Sequence, residues 1–222
     1  MNRMTSIAVK TPRYLLPILA ATLAACATSG TPPASTPEPV IPDSTSTTNV
    51  DEAVGFTILE EGKVTADVRT HYAEALRLIE SGDRDRGISI LEAIAAEAPH
   101  LSAPLVDLGI EQRKAGNFEA AEQSLKRAID AAPLHPIAHN ELGIVYRKLG
   151  RFDDARRHYE IALEIFPEYH FARRNLAVLC DLYLGDLDCA LENYEAYIFM
   201  VPDDAEASMW VADVRLRIDQ GE

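Results

Sequence analysis

Positive charge is what this chain has least of: 21 lysines and arginines stand against 35 aspartates and glutamates, a formal net charge of -14. Such a surface repels phosphate backbones and anionic lipid head groups, so no nucleic-acid partner is expected, and the charge serves solubility. The apolar run from Tyr14 to Leu23 is interrupted by Pro17 and falls short of the roughly 20 residues that a membrane-spanning helix needs. Catalytic signatures are missing too. The chain has no Gly-x-Ser-x-Gly, no phosphate loop, no His-Glu-x-x-His and no Cys-x-x-Cys. Its carboxylates show no spacing beyond that of a solvated helix face. Neither an enzyme nor a cofactor is expected. What remains is globular in composition, 47% hydrophobic and 25% charged, with room for one ordinary domain plus extra segments.

The first 25 residues have the layout of an export signal. Arg3, Lys10 and Arg13 form a cationic start, the run from Tyr14 to Leu23 follows, and small residues close it. That close, Leu23-Ala24-Ala25-Cys26, resembles the bacterial lipobox. The resemblance implies that the Cys26 thiol takes a diacylglycerol, that the bond before it is cut, and that the new amine is acylated. Several acyl chains would hold firmly where one gives only marginal binding. An ordinary signal peptide with an incidental cysteine is the alternative. Ala27 and Thr28 follow Cys26, where inner-membrane lipoproteins typically carry Asp, so the resemblance implies an outer-membrane anchor with the domain facing the periplasm.

From Ala27 to about Val50 the chain is rich in Thr, Ser and Pro, with almost no large apolar residue. It cannot offset its ordering entropy and reads as an extended tether. Phe56-Thr57-Ile58-Leu59, followed by Glu61-Gly62-Lys63-Val64, reads as a strand-like arm or small hairpin.

Beyond the arm the sequence repeats. Pro99, Pro133 and Pro167 are 34 residues apart, and Pro202 follows at 35. Within that frame His139, Leu142, Gly143, Tyr146, Ala155 and Tyr159 have counterparts Leu105, Leu108, Gly109, Gln112, Ala121 and Leu125 one period earlier. Arg173, Leu176, Ala177, Cys180, Ala190 and Tyr194 follow in the next unit, which has one extra residue, and a degenerate first unit carries His71, Glu74, Ala75, Leu78, Gly87 and Leu91. Period and pattern resemble the tetratricopeptide repeat (TPR). The resemblance implies an all-α solenoid of about four helix-turn-helix repeats, in which Gly143 and Gly109 allow close crossing opposite Ala155 and Ala121. Gly82, Gly116, Gly150 and Gly185 would end the first helices in the left-handed region, and the prolines would stop the second helices.

The expected organisation is a leader over 1–25, the lipidated cysteine and tether over 26–50, and a short arm over 51–65. Repeats follow over 66–202 (about 68–101, 102–135, 136–169 and 170–202), then a capping helix over 203–222 carrying Met209, Trp210, Val214 and Leu216. Stacking closes the apolar face that each hairpin leaves open.

In a TPR hairpin Cys180 and Cys189 would face each other across a short turn, and an exported compartment permits their disulfide. Two buried free thiols are the other reading. His135 and His139 are four apart, but Pro136 places His135 before the helix, so the two are read as structural rather than as metal ligands.

By register the concave face is built from Val106, Ile110, Arg113, Lys114, Ile137, Asn140, Ile144, Arg147, Lys148, Phe171, Arg174, Asn175 and Val178. An apolar track edged by cations would suit an extended or helical protein segment with acidic groups. The cations also have a plain role at helix C-termini. Carboxylate-clamp TPRs place Lys and Asn where this chain has Val106 and Ile110, which speaks against a clamp. The layout resembles outer-membrane assembly lipoproteins, namely pilotins and adaptors of peptidoglycan hydrolases. The expected partners are envelope proteins, with the membrane touched only by the lipid anchor. An accessory subunit of a TonB-type complex and a self-associating structural protein are the alternatives.

Overall fold

The computed structural model describes residues 46–51, 55–60 and 64–221. The expected leader, Cys26 and most of the expected tether lie outside the described residues. Among them are two strands, β1 (Ser46–Asp51) and β2 (Gly55–Glu60), and nine α-helices: α1 (Ala66–Glu80), α2 (Arg84–Glu97), α3 (Ser102–Lys114), α4 (Phe118–Ala131), α5 (Pro136–Lys148), α6 (Phe152–Ile165), α7 (His170–Leu179), α8 (Leu187–Met200) and α9 (Ala205–Gln220). Each helix packs on the next in sequence, and α5 also touches both α3 and α7. The first helices α3, α5 and α7 therefore lie side by side and form one face.

The turns explain the period. In the first three hairpins the first helix ends in the same pair of backbone bonds, with the residue after the glycine donating to a carbonyl five residues back. Asn117 donates to Gln112 (2.9 Å) and Arg151 to Tyr146 (2.8 Å), while Gly116 and Gly150 donate to Arg113 and Arg147. This geometry needs a left-handed residue, and Gly116 and Gly150 supply φ of 84° and 73°. The fourth hairpin absorbs its extra residue as a π-helical turn, Cys180–Leu184, at the end of α7. The disulfide between Cys180 and Cys189 ties this turn to α8, with Cα atoms 5.9 Å apart.

Helix starts are capped where the sequence offers an acceptor. Thr65 Oγ1 accepts from Val68 N (3.1 Å), Asp186 Oδ1 from Cys189 N (3.1 Å) and Asp204 Oδ1 from Ala207 N (3.0 Å). His135 caps α5, its Nδ1 accepting from Ala138 N at 3.3 Å, with Pro136 as the first helical residue.

The core repeats with the same period. Ala121, Ala155 and Ala190 are fully buried, as are Ala128 and Ala162, and Ala138 and Ala172. Such small residues bring helix backbones close together. Leu125 and Tyr159, also fully buried, fill the space that the glycines leave: a Cβ on Gly109 would lie 2.6 Å from Leu125 Cγ, and one on Gly143 would lie 2.6 Å from Tyr159 Cε1. The glycines thus face the large side chain of the second helix, where the alanine was expected opposite. The cap also differs from expectation. Val211 and Val214 of α9 are buried and Trp210 packs on Tyr194 at 5.4 Å, but Met209 and Leu216 point outward, 71% and 55% exposed.

The hairpin strands begin earlier than expected. Ser46 to Val50, read as tether, forms most of β1, pairing antiparallel with β2 so that Val50 opposes Phe56 and Thr48 opposes Ile58. The prolines stop at Pro42, and the β-branched residues beyond it suit a strand. No helix among the described residues is long and apolar enough to cross a membrane.

Candidate functional site

The face shared by α1, α3, α5, α7 and α9 is laced from hairpin to hairpin by polar contacts. Tyr72 of α1 donates to Asp107 of α3 (2.5 Å), and Asn175 of α7 donates through Nδ2 to Asn140 Oδ1 of α5 (2.8 Å). Arg174 of α7 lies over the Trp210 ring of α9, 5.2 Å from its centroid. These three pairs occupy the same place in successive units, 35 or 36 residues apart. At the remaining junction the register gives Val106 opposite Glu141, and Val106 cannot hydrogen-bond. Glu141 instead accepts from Arg113 Nε at 2.8 Å. Burial pushes the Glu141 carboxyl above its ordinary range while Arg113 pulls it back. Burial also raises Asp107, against the pull of the Tyr72 hydrogen bond.

This lacing sorts the residues read from the sequence. Val106 and Asn140 are buried, 4% and 2% exposed, so both belong to the floor rather than to the open surface. Ile110, Ile137, Ile144 and Val178 are half-buried against the core. Arg113 and Lys114 are not free cations: Arg113 pairs with Glu141, and Lys114 pairs with the buried Glu111 at 2.6 Å. Arg147 lies over the Tyr183 ring at 5.5 Å. Among the described residues, no ion pair engages Arg147, Lys148 or Arg174. All four cations of α3 and α5 do stand in the last turn of their helices. Phe171, 54% exposed, packs on Tyr169 and His170 at the start of α7.

The face runs further than the sequence reading took it. Met209 and Trp210 stand 35 residues after Arg174 and Asn175, and Leu216 stands 35 after Asp181. Arg217 of α9 donates to Asp181 at 2.6 Å, which draws α9 against the π-helical turn. Leu182, within that turn, is 67% exposed. Carrying the period past Pro202 would have placed Met209 and Leu216, read as part of the cap, on this face, and Leu182 stands 34 residues after the exposed Lys148.

Histidines behave as structure. His139 Nε2 lies 2.9 Å from the Pro133 carbonyl and must donate to it, so His139 Nδ1 is left to accept from His158 Nδ1 at 3.0 Å. Both rings are neutral in this arrangement. Burial pushes His139 down, His158 down to about 4 and His135 down to about 3. The group Cys180, Asp186 and Cys189 has ligand atoms close enough for a metal, but both thiols there are consumed in the disulfide. The buried Tyr159 hydroxyl is raised to about 12 by burial, so it is no base at ordinary pH.

Comparison with known proteins completes the picture. No curated protein matches the sequence. Among solved structures, MamA (residues 41 to the end) from Desulfovibrio magneticus is similar over 71% of this chain and 88% of its own, at 17% identity and a TM-score of 0.63. TTC0263, a thermophilic TPR protein of Thermus thermophilus, is similar over 68% of this chain and 82% of its own, at 25% identity and a TM-score of 0.57. The first TPR of Spaghetti (RPAP3), solved with the HSP90 peptide SRMEEVD, is similar over 53% of this chain and 93% of its own, at 20% identity and a TM-score of 0.51. The family description "Tetratricopeptide repeat" matches residues 106–180 and 181–219, more than half of the chain. That span opens inside α3 and closes inside α9, and the chain belongs to the tetratricopeptide repeat family.

Proposed function

We propose that this protein is a lipid-anchored scaffold of the bacterial envelope that holds a segment of a partner protein on its first-helix face. The observation that carries the reading is the exposure of large apolar side chains on α7, its π-helical turn and α9: Phe171, Leu182, Met209 and Leu216 are all more than half exposed. Repeat solenoids bind through extended faces, and exposed large apolar side chains on such a face are candidate anchors for a partner. Arg147 and Arg174 lie over the Tyr183 and Trp210 rings of these elements and form no salt bridge among the described residues, which suits an apolar segment carrying one or two acidic groups. A TPR of the same fold, that of Spaghetti, was solved with an acidic peptide. Here, however, Val106 is buried and Arg113 and Lys114 are engaged, so a carboxylate clamp is not the binding mode. The Cys26 lipobox and the acidic, leader-bearing sequence support an outer-membrane anchor with the solenoid in the periplasm. Assembly of an envelope machine, pilotin-like or as an adaptor for peptidoglycan enzymes, is the role such a scaffold would fill.

The test places a photoreactive residue at Ile144 in intact cells and identifies what it captures by mass spectrometry. Capture of an envelope protein, reduced in a Met209→Ser, Leu216→Ser variant, supports the reading. Capture of this chain alone would turn the assignment to self-assembly.

A further inference from the structure

An isolated two-stranded hairpin is marginal in water and needs a packed face to stay ordered. The β1–β2 hairpin finds one far along the chain. The Phe56 ring meets Phe166 at 5.6 Å between centroids, His135 at 6.4 Å and Tyr169 at 6.4 Å, each in an edge-on arrangement. These three come from the cap of α5 and from the α6–α7 connection, the two places where first helices begin. Phe166 and Tyr169 stack on each other at 6.1 Å, and Tyr169 in turn meets Phe171 at 5.8 Å. Phe56 therefore sits in an aromatic slot between the start of α5 and the start of α7. Ile58, two residues on and on the same side of β2, is half-buried as well.

We propose that the segment Gly55–Glu60 is an internal occupant of this slot, and that a partner engages the α5–α7 end of the groove by inserting an aromatic side chain in place of Phe56. The proposal rests on the groove reading above and adds both a partner chemistry and a control. Aromatic rings favour the edge-on contacts that the slot offers. The arm is part of the chain, so its effective concentration is high and a partner lacking such a side chain cannot compete with it.

The experiment uses the full mature chain and two variants, Phe56→Ala on the arm and Phe166→Ala in the slot, followed by amide hydrogen exchange. In both variants the amides of Ser46–Asp51 and Gly55–Glu60 are expected to exchange at least about tenfold faster than in the wild type, while α3 to α9 keep their protection. Unchanged exchange in the arm would overturn the proposal. So would release by Phe56→Ala alone, which would make Phe56 a prop of the hairpin itself. Capture at Ile144 is then compared between wild type and Phe56→Ala. Stronger capture in the variant supports the control, and equal capture overturns it while leaving the scaffold reading intact. Failure to capture any partner counts against the scaffold reading, and the exchange result still decides whether the arm fills the slot.

Discussion

Gly143 shows how one position can set a crossing between helices. Alanine is the better helix former by about 1 kcal/mol, yet its Cβ would lie 2.6 and 2.7 Å from Tyr159 ring atoms that have no room to move. The clash should win: Gly143→Ala is expected to lower stability by about 1–3 kcal/mol, read from denaturant midpoints. A more stable variant would contradict the packing. The histidines make a second prediction. His158 and His135 have folded values near 4 and 3, below the ordinary 6.5. A histidine depressed on folding leaves stability intact above its unfolded value and removes it as pH falls toward the folded one. Melting temperature should therefore drop between pH 7 and pH 5, and His158→Gln should flatten that drop. Asp107 and Glu141, raised on folding, act in the opposite sense, favouring the fold as they protonate. Parallel curves for wild type and variant would exclude the histidine account. Gly143 was legible in the sequence because a packing glycine breaks helix propensity at a fixed period. Tyr72 with Asp107 was not, because each side chain alone is ordinary and only the 35-residue offset makes them partners.

Among the elements, α3 to α6 fall within the repeat boundaries read from the sequence, since turn glycines and stop prolines are local signals. The π-helical turn is different. One extra residue was visible, but whether it lengthens the loop or widens the helix depends on packing against α8 and α9, where Arg217 takes Asp181 and the disulfide joins Cys180 to Cys189. That bridge closes a loop of nine residues in separation, so reducing it is expected to cost no more than the roughly 3 kcal/mol of a 15-residue loop. The loss should stay local: hydrogen exchange should rise in Cys180–Leu184 and the first turn of α8, with α3 to α6 unchanged. Global unfolding on reduction would show that the fourth hairpin holds the array together. β1 escaped the sequence reading because the segment before it is proline-rich and its strand character shows only in pairing with β2.

At the scale of the molecule, lipidation and the groove are separate claims with separate tests. Cys26→Ser is expected to move the protein from the membrane fraction to the soluble periplasmic fraction and to abolish palmitate labelling. Labelling that survives the substitution would exclude this lipidation site. The groove is the central claim, and its extension onto α9 distinguishes it from a generic solenoid surface. The most direct measurement compares photocapture in cells from Ile144 on the first-helix face with capture from Glu164 on α6, each with and without Met209→Ser and Leu216→Ser. Both substituted side chains are exposed, so the fold should stand. An envelope protein is expected to be captured from Ile144 alone, with capture falling at least about tenfold in the double variant, as for loss of central apolar contacts. Equal capture from both faces, or capture indifferent to Met209 and Leu216, would contradict it.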